Sequence, residues 1–149
     1  MLTEDGPRVL EFNCRFGDPE TQSIVPRLGG DLLAVLMAAS SGDLGGLELP
    51  EDDGAAVTVV LAAGDYPAAG DVGTAIEGIA DAEAAGARVF HAGTALKGEQ
   101  IVTNGGRILN VTAVAENVAA ARERAYEACD LISFPGMRFR RDIAAVAHV

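Results

Sequence analysis

The chain has 149 residues, of which 49% are hydrophobic and 22% charged, with a mean hydropathy of +0.22. That balance argues for one core and against disorder, collagen or a coiled coil. Eleven Lys and Arg against 22 Asp and Glu give a net charge of −11, the wrong sign for a surface that neutralises phosphates, so nucleic acid is not an expected partner. No run approaches the roughly 20 apolar residues of a membrane span, and Glu4 and Asp5 stand where a secretory signal would carry basic charge, so a soluble cytoplasmic protein is expected. Cys14 and Cys129 lie far apart with no CxxC and no His pair, which predicts two buried, reduced thiols rather than a zinc site or a disulfide.

Residues 8–16 alternate with period two. Leu10, Phe12, Cys14 and Phe16 fall on one side and Glu11, Asn13 and Arg15 on the other, which predicts a strand with one buried and one working face. In the GDPETQ that follows, Asp18 has the chemistry of an N-cap, Pro19 suits the first helical position and Glu20 favours the positive end of the helix dipole. Pro26 breaks that helix, and a second starts at Asp31, with Leu32, Leu33, Val35, Leu36 and Ala39 as its stripe and Gly42 as its end. Ser41 to Gly54 reads as an acidic connection between two units, with the boundary placed near residue 45.

Ala56 to Ala63 is a short β-branched run that predicts a strand buried on both faces, ended by the turn residues Gly64 to Pro67. Residues 80–86 predict a short helix closed by Gly86, and Ala87 to His91 a strand. IVTNGGRILNVTA predicts a hairpin turning at Asn104-Gly105. A final helix over Asn117 to Leu131 carries Val118, Ala121, Ala125, Ala128 and Ile132 on one stripe, as core or as a docking face. Strands and helices are mixed without repeats, so the fold class is α+β with an antiparallel sheet.

Chemistry concentrates in Glu11-Phe12-Asn13-Cys14-Arg15. Two-residue spacing aims a carboxylate, a carboxamide and a guanidinium one way, which suits Mg²⁺ held by hard oxygens beside phosphate; a solvated strand face is the plainer reading. GTALKGEQ has the two glycines of a phosphate loop, but Glu99-Gln100 stand where Lys-Ser/Thr belong, so that reading is rejected. His91 lacks a nearby Cys or Asp partner and reads as structural, while His148 in the tail carries no signal. Asn110-Val111-Thr112 fits a glycosylation sequon, which has no bearing in a cytoplasmic protein. Arg138, Arg140 and Arg141 beside Asp142 either bind phosphate or pair with acids, the commoner outcome in an acidic chain.

EFNCRFGDPETQ, Glu11 to Gln22, resembles the signature of phosphoribosylamine-glycine ligases (glycinamide ribonucleotide synthetases), ATP-grasp enzymes of purine biosynthesis. GDYP at Gly64 to Pro67, HAGT at His91 to Thr94, TNGGR at Thr103 to Arg107 and RFRRDI at Arg138 to Ile143 resemble the C-terminal region of that family in the same order. The resemblance implies a reaction in which ATP phosphorylates the glycine carboxylate and 5-phosphoribosylamine attacks the acyl phosphate. It implies Glu11 and Asn13 as ligands of Mg²⁺ or Mn²⁺, and Arg15 as the cation that stabilises the transferring phosphoryl group. Asp18 and Glu20 would lie beside the substrate, although a helix start accounts for both.

In that family an amine-binding domain and most of the ATP-grasp fold precede the EFN segment, whereas ten residues precede Glu11 here. The resemblance therefore implies an internal Met1, a remnant of the ATP-grasp domain over 1–45, the family's C-terminal domain over 46–149 and no catalysis without the missing N-terminal portion. The isolated piece is expected to self-associate through its first 45 residues. Two alternatives stay open: a non-catalytic binding module that keeps the fold, and an ATP-grasp ligase for a different amine and carboxylate.

Overall fold

The computed structural model describes residues 1–47 and 54–145. The central part of the expected acidic connection, and His148, lie outside the described residues.

The chain opens with a two-residue hairpin, β1 (Leu2–Thr3) against β2 (Gly6–Pro7), closed by Met1 and Arg8 exchanging backbone hydrogen bonds. The strand expected over 8–16 is absent. These residues form an irregular loop whose apolar side chains are among the most exposed in the molecule, Leu10 at 73%, Phe12 at 83% and Phe16 at 62%. Alternation supplies a candidate face but no ladder, and among the described residues no strand lies beside this segment to accept its backbone groups. Cys14, expected to be buried, is exposed for the same reason.

Helix α1 (Glu20–Ile24) follows, then a 3-10 turn over Val25–Arg27 that absorbs Pro26. The cap position belongs to Pro19, not Asp18, and no side chain caps the helix. The Asp18 carboxylate turns to a guanidinium instead, because a charge-assisted hydrogen bond is stronger than a capping bond to a neutral N–H. Helix α2 (Leu32–Ser41) is as expected: Asp31 Oδ1 accepts from Leu33 N at 2.9 Å and Ala34 N at 3.3 Å, and Gly42 closes it in the left-handed region at φ 73°. No residue of α2 is buried, so its stripe has formed without a core to face.

The remainder holds two three-stranded antiparallel sheets, in agreement with the expected α+β class. One has the order β3-β8-β5, from β3 (Ala55–Ala62), β8 (Arg107–Ala115) and β5 (Arg88–His91). The other has the order β4-β7-β6, from β4 (Asp71–Ala75), β7 (Gln100–Gly105) and β6 (Thr94–Lys97). Helices α3 (Ile79–Ala84) and α4 (Val118–Leu131) cover one face of the first sheet. Asn117 Oδ1 caps α4 by accepting from Ala120 N at 2.9 Å. The expected stripe holds: Ala121, Ala125, Ala128 and Ile132 are buried and Val118 packs against them, the small alanines letting the helix sit close to the strands. Val59, Leu61, Ile108, Leu109 and Val111 form the floor at 0% exposure, each of them worth about 1.5–3 kcal/mol of burial.

Two expectations need correction, and two strands have no expected counterpart. β3 is buried on one face only: Val57, Val59 and Leu61 are sealed beneath α4, while Thr58 and Val60 are half-covered by α1. β4 and β6 have no counterpart among the expected elements, since Asp71–Ala75 and Thr94–Lys97 are short and apolar at no more than half of their positions. Asn104-Gly105 is not a hairpin turn; both residues belong to β7, and the chain passes at Gly106 from one sheet to the other. A Cβ on Gly106 would meet the Tyr66 ring at 2.6 Å, so close approach and not a turn conformation demands glycine there. The tight hairpin is β6–β7, with Lys97 opposite Gln100 and Gly98 at φ 64°, which gives the rejected phosphate-loop stretch its actual role.

Candidate functional site

The Glu11–Arg15 loop meets the β3–β8 sheet through a polar clasp. Arg107, the first residue of β8, donates from Nη1 to the Asp18 backbone carbonyl at 3.0 Å and from Nη2 to Asp18 Oδ2 at 3.3 Å. Gln22 Nε2 and Asn110 Nδ2 both donate to Asp18 Oδ1, at 2.9 and 3.4 Å. An exposed ion pair alone is worth about 0.2–1 kcal/mol, but here four donated hydrogen bonds converge on one residue. Beside the clasp, Ser23, Thr58 and Thr112 form a chain of hydroxyls at 2.7 and 2.8 Å, in which Thr58 and Thr112 are cross-strand partners. Together these contacts tie α1 and the loop before it to the face of the sheet opposite α4.

The residues expected to act are only partly brought together. Asn13 Nδ2 donates to Glu11 Oε1 at 3.4 Å, so the carboxylate and the carboxamide are neighbours. Arg15 does not join them; its Nη1 donates to the Phe16 carbonyl at 3.1 Å. Asp18 belongs to the clasp, and Glu20 is exposed at the start of α1 with its side chain folded over Gly17. Glu11 and Asn13 are thus held in an irregular loop and not on the face of a strand.

The donor set fits a hard cation in part. Glu11 and Asn13 offer two adjacent oxygens of the type Mg²⁺ prefers, provided the Asn13 amide turns its Oδ1 inward, and this ion commonly takes its other ligands from phosphates and water. Among the described residues no group of three His, Cys, Asp or Glu side chains gathers as a metal cage.

Sequence reasoning missed the part played by Arg107, Asn110 and Gln22. Each lies in a stretch that stands out for another reason, TNGGR, the Asn110 sequon and EFNCRFGDPETQ, and nothing in the sequence joins Arg107 to Asp18, 89 positions away. Arg140 and Arg141 take the commoner course expected of them, pairing with Asp142 at 2.6 Å and Asp130 at 2.9 Å. His91 makes one hydrogen bond, to Thr94 Oγ1, consistent with a structural residue. No helix among the described residues is long and apolar enough to cross a membrane.

Comparison with known proteins follows the same division. Residues 56–146 match the family described as phosphoribosylglycinamide synthetase, C domain, and residues 1–21 match the ATP-grasp (A) domain of the same synthetase. The chain is 50% identical over 144 residues to phosphoribosylamine–glycine ligase of Vibrio cholerae, covering 96% of this chain and 34% of that protein. It is 49% identical over 144 residues to the trifunctional purine biosynthetic protein adenosine-3 of Gallus gallus, again over 96% of this chain but 14% of that one. The crystal structure of phosphoribosylamine–glycine ligase from Thermotoga maritima superposes with a TM-score of 0.78 at 38% identity, covering 96% of this chain and 35% of that one. The biotin carboxylase domain of Hydrogenobacter thermophilus 2-oxoglutarate carboxylase superposes with a TM-score of 0.58 at 18% identity, covering 93% of this chain and 31% of that one, a likeness of fold alone. The chain spans about a third of the length of the curated ligases it matches. Since the C-domain match alone takes in more than half of its residues, the chain belongs to the phosphoribosylglycinamide synthetase family.

Proposed function

We propose that this chain supplies the metal-holding loop and the C-terminal domain of a ligase that joins glycine to 5-phosphoribosylamine at the expense of ATP. The γ-phosphoryl group passes to the glycine carboxylate, giving an acyl phosphate and ADP. The amine nitrogen then attacks the acyl carbon; a C–N bond forms, the C–O bond to phosphate breaks, and the amine gives up a proton. Glycinamide ribonucleotide and phosphate result.

The observation that carries this reading is the adjacency of Glu11 and Asn13 in a segment matching the ATP-grasp domain, next to a domain matching the same synthetase. Glu11 and Asn13 would hold Mg²⁺ or Mn²⁺, which draws charge from the phosphates and orients them. Arg15 would leave the Phe16 carbonyl to offset charge on the transferring group. Asp18, fixed by Arg107, holds the loop in place, and Glu20 borders the substrate side. We set the boundary between the two units near residue 45, and expect the chain by itself to release no phosphate from ATP.

The test is a chimera in which this chain replaces the matching 144 residues of the Vibrio cholerae ligase. Phosphate release that needs ATP, glycine and phosphoribosylamine together, and falls at least 100-fold in Glu11→Gln, is the expected result. A folded chimera in which Glu11→Gln is as active as its parent overturns the reading. Self-association of the separate chain through residues 1–45 is expected in the same work, where Leu10, Phe12, Phe16, Leu33 and Met37 are exposed. Sedimentation should show Leu33→Glu with Met37→Glu shifting it to monomer, and a monomeric parent at high concentration would remove that expectation.

A further inference from the structure

Asn110 breaks the ordinary rules for the middle of a sheet. It lies in β8, the central strand of its sheet, directly opposite Val60 of β3 and Phe90 of β5. Its side chain is buried, yet the carboxamide is poorly served. Nδ2 donates to Asp18 Oδ1 over a long 3.4 Å, and Oδ1 is sealed from solvent and accepts no hydrogen bond among the described residues. A buried amide with an unpaired oxygen lowers stability where a leucine of similar shape would pack between two apolar neighbours. Turning the amide round gives no relief, because its oxygen would then face the Asp18 carboxylate.

Gln22 repeats the arrangement from α1. Its Nε2 donates to the same Asp18 Oδ1 at 2.9 Å, and its Oε1 is likewise sealed and accepts nothing among the described residues. Two amides thus give their hydrogens to one carboxylate oxygen and leave their own oxygens unpaired. What they achieve together is the direction of that carboxylate: with Oδ1 held from both α1 and β8, Oδ2 turns to Arg107. Arg107 alone is a loose guide, since it is a long side chain that is 39% exposed. Asn110 has two rotatable side-chain bonds and stands between Leu109 and Val111, both fully buried, so it carries the position of the core to Asp18. Asp18 follows Asn13 by five positions, at the end of the loop that holds Glu11 and Asn13 together.

We infer that Asn110 is a positioning residue for the metal-holding loop, setting the path of that loop through Asp18 at a cost in stability. Its bearing on catalysis rests on the ligase reading, whereas its hold on the loop does not.

A nitroxide on Cys14, which is exposed in the loop while Cys129 is buried, reports the motion of the loop in the 149-residue chain. Asn110→Leu and Asn110→Ala should each shorten its correlation time at least twofold. Their urea midpoints should part, Asn110→Leu lying at or above the parent because it removes an unpaired oxygen, and Asn110→Ala below it because it leaves a cavity. A label unmoved by both variants, or one whose motion follows the midpoint and not the loss of the amide, overturns the inference. In the chimera, Asn110→Leu should raise the Mg²⁺ concentration for half-maximal activity at least fivefold and leave KM for glycine unchanged, which a loss of folded protein would not do. An active chimera whose Mg²⁺ requirement does not move overturns the inference alone, whereas an inactive chimera whose separate chain shows the label freed as expected overturns the ligase reading alone.

Discussion

Residues 1–47 and 54–145 carry the same local signals and put them to different use. α2 and α4 each begin on a side-chain cap and each carry an apolar stripe. α4 buries five residues, Ala121, Ala125, Tyr126, Ala128 and Cys129, while α2 buries none. Caps and periodicity are enough to define a helix, but most helical stability in a protein comes from what the stripe packs against. The N-terminal region is therefore held to the sheet by polar contacts, Asp18 to Arg107 and Ser23 to Thr58, while the C-terminal region is held by its core.

The largest contrast should come from truncating apolar side chains in the two regions. Leu61→Ala removes a side chain with 0% exposure and should cost about 2–5 kcal/mol, whereas Phe12→Ala, at an 83% exposed position, should stay within about 0.5 kcal/mol. Urea midpoints measure both, and similar shifts would erase the distinction. Next in size is Thr58→Val, which breaks the hydroxyl chain and leaves Thr112, 1% exposed, without its partner. A loss of about 1–3 kcal/mol is expected, with faster amide exchange in α1.

The two caps sharpen the comparison. Asn117→Ala should lower global stability by about 1 kcal/mol, because α4 unfolds only with the core. Asp31→Ala removes an equivalent cap, yet should speed exchange in α2 and leave the global midpoint in place. A midpoint shift as large as that of Asn117→Ala would mean that α2 is part of the cooperative unit.

The two cysteines test the contrast through reactivity and through pH. Exposed Cys14 should react with a thiol reagent in the native protein, and Cys129 only on unfolding. Burial, with Asp130 nearby, pushes the Cys129 thiol from an ordinary 9.0 up to about 12. The fold favours the neutral thiol, so its contribution is complete below pH 9.0 and is lost as pH rises toward about 12. Cys129→Ala should flatten that part of the stability profile, and an unchanged alkaline slope would show that other groups set it.

Much of the C-terminal architecture was legible in the sequence. The Ala-rich stripe of α4 and the apolar run of β3 stand out because each encodes one local rule and meets a core that agrees with it, whereas in the N-terminal region the start of α2 at Asp31 is legible from its cap alone. The segment 8–16 misled because period two defines a face and not a partner. β4 and β6 escaped notice because edge strands of a sparsely buried sheet need few apolar residues. Of the site, Glu11, Asn13 and Asp18 could be singled out locally. The Arg107 clasp depends on a contact between segments 89 positions apart, which no single stretch of sequence encodes.

Where the two sheets change over, the spacing is set by bare backbone. A Cβ on Gly70 would stand 2.6 Å from the carbonyl carbon of Gly105, one on Gly93 would stand 2.6 Å from the Arg107 carbonyl oxygen, and one on Gly105 would stand 3.1 Å from the Gly93 Cα. A single methyl at this junction acts as a wedge between main chains that have no rotamer with which to yield. Such a wedge would tilt Arg107 away from Asp18, so a change far from any reacting atom would be felt first as a misdirected loop at Glu11.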